Sequence, residues 1–151
     1  MSYLYIPAKW DVEFLHSAGE FTTRFLQNLK EKKIYGVRCP RCNRVLLPPR
    51  RVCDRCFVET TDWVEVSDVG TLQSFCVVYR KFWGLPDPPY AIGVFKLDGS
   101  DEALVHFIGG VDLTDPTKLE EVVKIGRKFR AVWAEERRGH ILDIKYFEPM
   151  N

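Results

Sequence analysis

The sequence predicts a mainly β chain in three parts: an N-terminal helix, a small ribbon folded around a metal ion, and a five-stranded barrel. Three observations carry this. Cys39, Cys42, Cys53 and Cys56 form two C-x-x-C pairs. Just before them, Phe21, Phe25 and Leu29 recur at spacing four, one face of a helix. After them come short alternating runs punctuated by Gly, Pro and Asp, in the order three strands, a short helix, two strands.

The metal ribbon is the sharpest signal. Each C-x-x-C pair makes a tight knuckle whose two sulfurs face one ion, and the ten residues 43–52 between the pairs suit a short hairpin. Four thiolates in a closed shell suit Zn2+ in a structural role and leave no coordination position open for chemistry. Iron in a rubredoxin-like site is the rival, because the same ligands fit it. Asn43 follows the first knuckle, where a positive φ is often needed, and Asn tolerates that conformation.

Composition sets the outer limits. The chain has 151 residues, 28% of them charged, and a net charge of +1, so overall charge points to neither nucleic acid nor a membrane surface. No apolar run approaches the length of a membrane span. Residues 1–10 lack a basic segment leading into an apolar core, so no export signal is expected. Five cysteines, four in metal spacing, fit a reducing, cytoplasmic location. The fifth, Cys76, lies in an apolar strand-like run and is expected to be buried and inert.

In chain order, Tyr3, Tyr5, Trp10 and Phe14 stud an opening segment without a clean period, suited to packing on something else. Residues 17–33 read as a helix with a capping box of Ser17 and Glu20, and with Lys30, Lys32 and Lys33 at the dipole's negative end. That helix either docks on the body or serves a partner. The ribbon carries six arginines (38, 41, 44, 50, 51, 55) against Asp54. Residues 63–66 alternate, Gly70 interrupts, and 71–81 resumes, read as one long strand bent at the glycine, with Phe75, Val77 and Tyr79 on one face and Leu72, Cys76 and Val78 on the other. Further strands are expected at 90–97, 103–108, 127–135 and 141–147, with a short helix from Asp115-Pro116 to about Val123. This is the element order of an OB-fold, a five-stranded Greek-key barrel. The expected units are 1–33, 34–60 and 61–151.

With those elements in place the chain resembles the acyl-CoA-associated zinc-ribbon/OB-fold proteins, long catalogued as a domain of unknown function. The resemblance spans roughly residues 21–147. It rests on the cysteine pattern with Pro48-Pro49-Arg50, on Gly70-Thr71-Leu72 opening the barrel, and on Pro88-Pro89-Tyr90 leading to Leu97-Asp98-Gly99. Glycine commonly follows each knuckle in that family; here Asn43 and Phe57 stand there. The resemblance implies a non-catalytic scaffold that binds CoA or acyl-CoA and accompanies a thiolase-type enzyme, in some cases bridging it to hydroxymethylglutaryl-CoA synthase.

Chemistry supplies candidate contacts for CoA. Phe75, Tyr79 and Trp83 could pack or stack, and Arg50, Arg51, Arg80, Lys81 and Arg127 could hold phosphates through charge-assisted bonds. The junction of ribbon and barrel is the expected concave place, bringing the ribbon arginines near the loop 82–89. The alternative function is single-stranded nucleic-acid binding, since ribbons and OB-folds recur there. Asp62, Glu65, Asp68, Asp98, Asp101, Glu102, Glu135 and Glu136 speak against it. An enzyme in its own right is not expected: His16, His106 and His140 are isolated in sequence and no nucleophile motif occurs.

Overall fold

A computed structural model of the chain describes residues 4–150 apart from 8, 11, 116–118 and 120. Its elements are α1 (Gly19–Lys30), β1 (Ile34–Arg38), β2 (Val45–Leu46), β3 (Asp62–Val66), β4 (Val69–Val78), β5 (Tyr90–Leu97), β6 (Ala103–Ile108), β7 (Lys128–Trp133), a 3-10 turn (Ile141–Asp143) and β8 (Ile144–Pro149).

Helix α1 turns its periodic face inward. Phe25 and Leu29 are buried in the same core as the barrel strands, so the helix is docked on the body. It starts later than the sequence suggests. Ala18 stands at the N-cap without a side-chain bond and Gly19 takes φ +72°, so Ser17 and Glu20 form no capping box. The C-terminal end closes as a Schellman motif: Lys33 N–H donates to the Asn28 carbonyl (3.1 Å) and Lys32 N–H to that of Leu29 (3.0 Å), with Lys32 at φ 57°.

Strand β1 is the middle of a small sheet, pairing antiparallel with β2 and with β3. Residues 62–66 therefore belong to the ribbon sheet, not to the first barrel strand, and strand pairing changes over at Ser67 and Asp68. The alternation of Trp63 to Val66 was compatible with either sheet; the partner decides. The remaining strands close a barrel in the order β4-β5-β6-β8-β7, the five-stranded OB-fold expected. Its centre is aromatic. Phe95 stacks on Phe147 at 4.4 Å and meets Phe129 at 5.4 Å. Gly93 makes room for this: a Cβ there would lie 2.6 Å from the Phe95 ring and 2.9 Å from Leu72.

A bulge between Leu72 and Ser74 shifts the β4 register against β5. The shift reverses inside and outside. Leu72, Phe75 and Val77 all pack into the core, and Cys76, expected to be buried, is exposed. The expected helix after Asp115 lies partly outside the described residues. Two helical bonds are seen, Leu119 N–H to the Asp115 carbonyl (3.0 Å) and Val123 N–H to that of Leu119 (2.7 Å).

The connection from β7 to β8 is built on Asp143, which is only 3% exposed. Its carboxylate accepts from the backbone N–H groups of Arg138 (2.9 Å), Gly139 (2.8 Å) and His140 (3.2 Å). Arg137 reaches from the same turn to the Lys30 carbonyl (2.7 Å), tying the barrel to the end of α1. Burial by itself would raise the Asp143 pKa. The three N–H donors and the neighbouring His140 ring outweigh it, and the pKa lies below the ordinary 3.8. A carboxyl depressed by folding contributes stability above its unfolded pKa, near 4, and loses it as pH falls through the folded value. Asp143→Asn should cost about 1–3 kcal/mol near pH 7, since it leaves buried donors without an acceptor. Urea midpoints should show the wild type losing part of that advantage below about pH 4, while the variant's curve is flatter there. Equal midpoints near pH 7 would show that the carboxylate does not organise this turn.

Candidate functional site

The two cysteine knuckles are copies of one backbone pattern. Cys39 N–H donates to the Arg44 carbonyl (2.9 Å) and Asn43 N–H to that of Cys39 (2.9 Å). In the second, Cys53 N–H donates to Val58 (3.0 Å) and Phe57 N–H to Cys53 (2.9 Å). Asn43 (φ 60°) and Phe57 (φ 54°) occupy the matching left-handed positions. The phenyl side chain at the second is the costlier fit, about 1–2 kcal/mol above glycine.

This backbone brings the four sulfurs within 4.8 Å of one another. A tetrahedral zinc with bonds of about 2.3 Å places its sulfurs about 3.8 Å apart. Cys42 Sγ and Cys53 Sγ are 3.8 Å apart, so the donor set fits the ion. Cys39 and Cys53 are wholly buried and Cys42 and Cys56 half-buried, which closes the shell. Burial resists ionising Cys39, but the N–H groups of Cys42 and Arg41 and the nearby thiols hold its pKa down to about 6. Burial and the same thiols push Cys56 up to about 12. A divalent ion supplies the charge that lets all four thiols deprotonate.

The arginines around the cluster are largely engaged. Arg44 pairs with Asp54 (3.0 Å) and Glu102 (2.7 Å), Arg38 with Asp62 (3.3 Å), and Arg51 with Glu59 (3.1 Å). Arg50 also pairs with Glu102. Glu102 accepts in addition from Leu47 N–H (3.2 Å), and Asp101 from Val45 N–H (2.9 Å). The junction of ribbon and barrel, expected to be hollow, is thus filled by this carboxylate seam. The sequence signal was slight: Asp101 and Glu102 read only as acids after a turn.

The eight candidate CoA contacts are not brought together. Phe75 packs against the core. Arg127 is held by the Met150 carbonyl (3.2 and 2.9 Å) and the Val122 carbonyl (3.0 Å). Lys81 pairs with Asp87. Arg50 and Arg51 belong to the ribbon, which meets the barrel where β5 ends, at Leu97 and Asp98. Tyr79, Arg80 and Trp83 lie in the loop entering the start of β5, so about 25 Å of strand separates the two groups. The expected meeting of ribbon arginines with this loop does not occur. Tyr79 and Trp83 are exposed, and among the described residues Arg80 has no ion pair or hydrogen bond.

Two hollows and one uncovered segment also mark the surface of the described residues. A polar hollow of about 260 Å³ lies between α1 and the ribbon, where Arg24 sits 4.2 Å over the Trp63 ring. An apolar one of about 170 Å³ lies outside β5 and β6, lined by Ile92, Val105, Phe107, Ile141 and Leu142. His106 stands behind it: Phe107 N–H donates to its Nδ1 (2.9 Å), and its Nε2 is 3.1 Å from the Ile141 carbonyl. Burial lowers its pKa, so the ring is neutral with its proton on Nε2. Leu4, Tyr5, Ile6, Trp10, Val12, Phe14 and Leu15 are each at least two-thirds exposed. Among the described residues no helix is long and apolar enough to cross a membrane.

Comparison with known proteins matches this geometry. Residues 27–62 match the family model described as ChsH2, rubredoxin-like zinc ribbon domain, and residues 63–134 the one described as ChsH2, C-terminal OB-fold domain. A solved protein of unknown function from the DUF35 family of Sulfolobus solfataricus is 22% identical, with a TM-score of 0.58 over 83% of this chain and 81% of that one. The solved Ltp2-ChsH2(DUF35) aldolase is 21% identical, with a TM-score of 0.62 over 89% of this chain and 98% of that one. These two share the fold. No curated protein matches the sequence. The four-thiolate cluster and the zinc-ribbon match make the metal centre a structural zinc site.

Elemental analysis should find about one zinc per chain, and Cys39→Ser or Cys53→Ser should reduce it to a small fraction, because each removes a buried thiolate from a closed shell. The barrel's near-ultraviolet circular dichroism should survive while the ribbon loosens. Full zinc retention in both variants would overturn the assignment of these ligands.

Proposed function

This chain belongs to the ChsH2/DUF35 family of zinc-ribbon/OB-fold proteins, and we propose that it is a non-catalytic subunit that binds CoA or acyl-CoA and docks on a thiolase-type enzyme. In that role it can bridge the enzyme to a second acyl-CoA enzyme such as hydroxymethylglutaryl-CoA synthase. One observation carries the partner reading. The chain already has a closed barrel and a docked helix, yet residues 4–15 hold seven large apolar side chains in the open. A surface of that kind marks a protein contact. A protein of the same fold occurs in the Ltp2-ChsH2(DUF35) aldolase, which supports the reading without fixing the partner here.

Catalysis by the chain itself has little to work with among the described residues. The closed zinc shell offers no open position for a substrate oxygen or water. His106 has both ring nitrogens committed, and the His140 Nδ1 accepts from Leu142 N–H (3.2 Å) as a turn cap. The nucleic-acid alternative needs free cations near the OB-fold's ligand face. The ribbon arginines that would serve are mostly in ion pairs, and the hollow on that face is apolar. For CoA, the free Arg80 with Tyr79 and Trp83 beside it is the best remaining contact for phosphate and adenine.

Deletion of residues 1–16 from a tagged chain should abolish co-purification of a thiolase-type enzyme, identified by mass spectrometry, and leave zinc content and far-ultraviolet spectrum intact. The cut must stop there, because Phe25 and Leu29 of α1 are core residues. A complex that persists at full stoichiometry would sink the role of the arm. Separately, Arg80→Ala should weaken CoA binding about tenfold, as loss of a charge-assisted contact implies, while Arg50→Ala at the other end of β5 should not change it. The reverse pattern would place the nucleotide at the ribbon.

A further inference from the structure

We propose that the apolar hollow outside β5 and β6 holds the acyl chain of an acyl-CoA, with the CoA end directed toward the loop 79–89. This rests on the CoA-binding reading above and adds the place and the chemistry of the chain.

Position is the first argument. The hollow lies over the second and third strands of the barrel and the connection between its last two strands, the face on which OB-folds take extended ligands. Lining is the second. Ile92, Val105, Phe107, Ile141 and Leu142 present carbon, and His106, the one polar side chain there, has both ring nitrogens bonded internally. No charged side chain lines the hollow, so a phosphate or carboxylate would lose its hydration there without a partner. A methylene chain loses nothing polar and gains from burial.

Charge along the face is the third argument, and it selects the occupant. Strand pairing sets Cys76, Ile92 and Phe107 in one row across β4, β5 and β6, and Ser74, Val94 and Val105 in the next, with no charge in either. From Ile92 the strand runs two residues, about 7 Å, back to Tyr90, where the loop enters. That loop carries the free Arg80 and the exposed Trp83. The loop end of the surface is cationic and aromatic, the two rows at the hollow are uncharged, and the next charge is Lys96, in the row of Thr71 and Ala103 beyond Val94. An acyl-CoA has the matching order: phosphates and adenine at one end, a hydrocarbon at the other. An apolar peptide segment fits the hollow but gives no role to a guanidinium and an indole in the loop beside it.

The test titrates CoA, butanoyl-CoA and octanoyl-CoA into the full-length zinc-loaded chain by calorimetry. Wild type should bind more tightly with each added methylene, by about threefold, until the hollow is filled. Val105→Asp should remove the chain-length dependence and leave CoA affinity unchanged; Val105 is 59% exposed, so the substitution does not burden the core. Leu142→Gln should act in the same direction, and retained CoA binding reports that each variant is folded. If wild type binds all three equally, the acyl site is wrong and the CoA reading stands. If it binds none of them, both fail. If Val105→Asp abolishes capture of the enzyme while octanoyl-CoA affinity is unchanged, the face is a protein-docking surface and the proposal is overturned.

Discussion

The carboxylate of Glu102 sets how the ribbon stands on the barrel. It lies between Arg44 and Arg50 and accepts the Leu47 N–H, while Asp101 beside it exchanges bonds with Val45. The Arg44 and Glu102 side chains are each only 16% exposed, so neither would be tolerated there without the other. Arg44 also holds Asp54, next to Cys53, and its carbonyl accepts from Cys39. One residue therefore connects both knuckles of the metal centre to the turn between β5 and β6. Arg38, Arg44, Arg50 and Arg51 are each held by a carboxylate, so the arginine-rich stretch carries less free positive charge than its composition suggests.

What could be read from the sequence was whatever is local. The zinc ligands are a spacing, and β5 and β6 begin and end where prolines, Asp98-Gly99 and Gly109-Gly110 punctuate the chain. Helix α1 was legible from Phe21, Phe25 and Leu29, but its start was not, because Gly19 in a left-handed conformation displaced the Ser17 cap. Non-local choices were opaque. Residues 62–66 alternate like any half-buried strand, and only pairing with β1 shows which sheet they serve. One inserted residue near Gln73 reverses the two faces of β4, which is why Cys76 is outside. Composition likewise gives an arginine's presence but not the carboxylate or carbonyl waiting for it, as at Arg50, Arg51 and Arg127.

The polar groups with chemical potential are mostly committed to architecture. The metal is enclosed, the His106 imidazole bridges β6 to the 3-10 turn where strand pairing is thin, and Asp143 gathers the backbone of its own turn. Other features are of a different kind: an apolar hollow on the barrel face, an aromatic loop with one unengaged guanidinium, and an apolar arm. They also lie apart, since the ribbon seam and the loop occupy opposite ends of the β4–β5 hairpin. A ligand and a ribbon-side neighbour can therefore be held without competing for the same atoms.

The arm has a consequence for the life of the chain in a cell. Its apolar side chains lie outside the fold, so the body can be fully folded and the molecule still looks unfinished to anything that samples exposed hydrophobic chain. Exposed apolar chain of this kind is what holdases and processive proteases engage, so an uncovered copy would be open to both. Cover the arm and that signal disappears. If a partner covers the arm, as proposed above, abundance would follow the supply of that partner, a form of dosage matching that needs no transcriptional control.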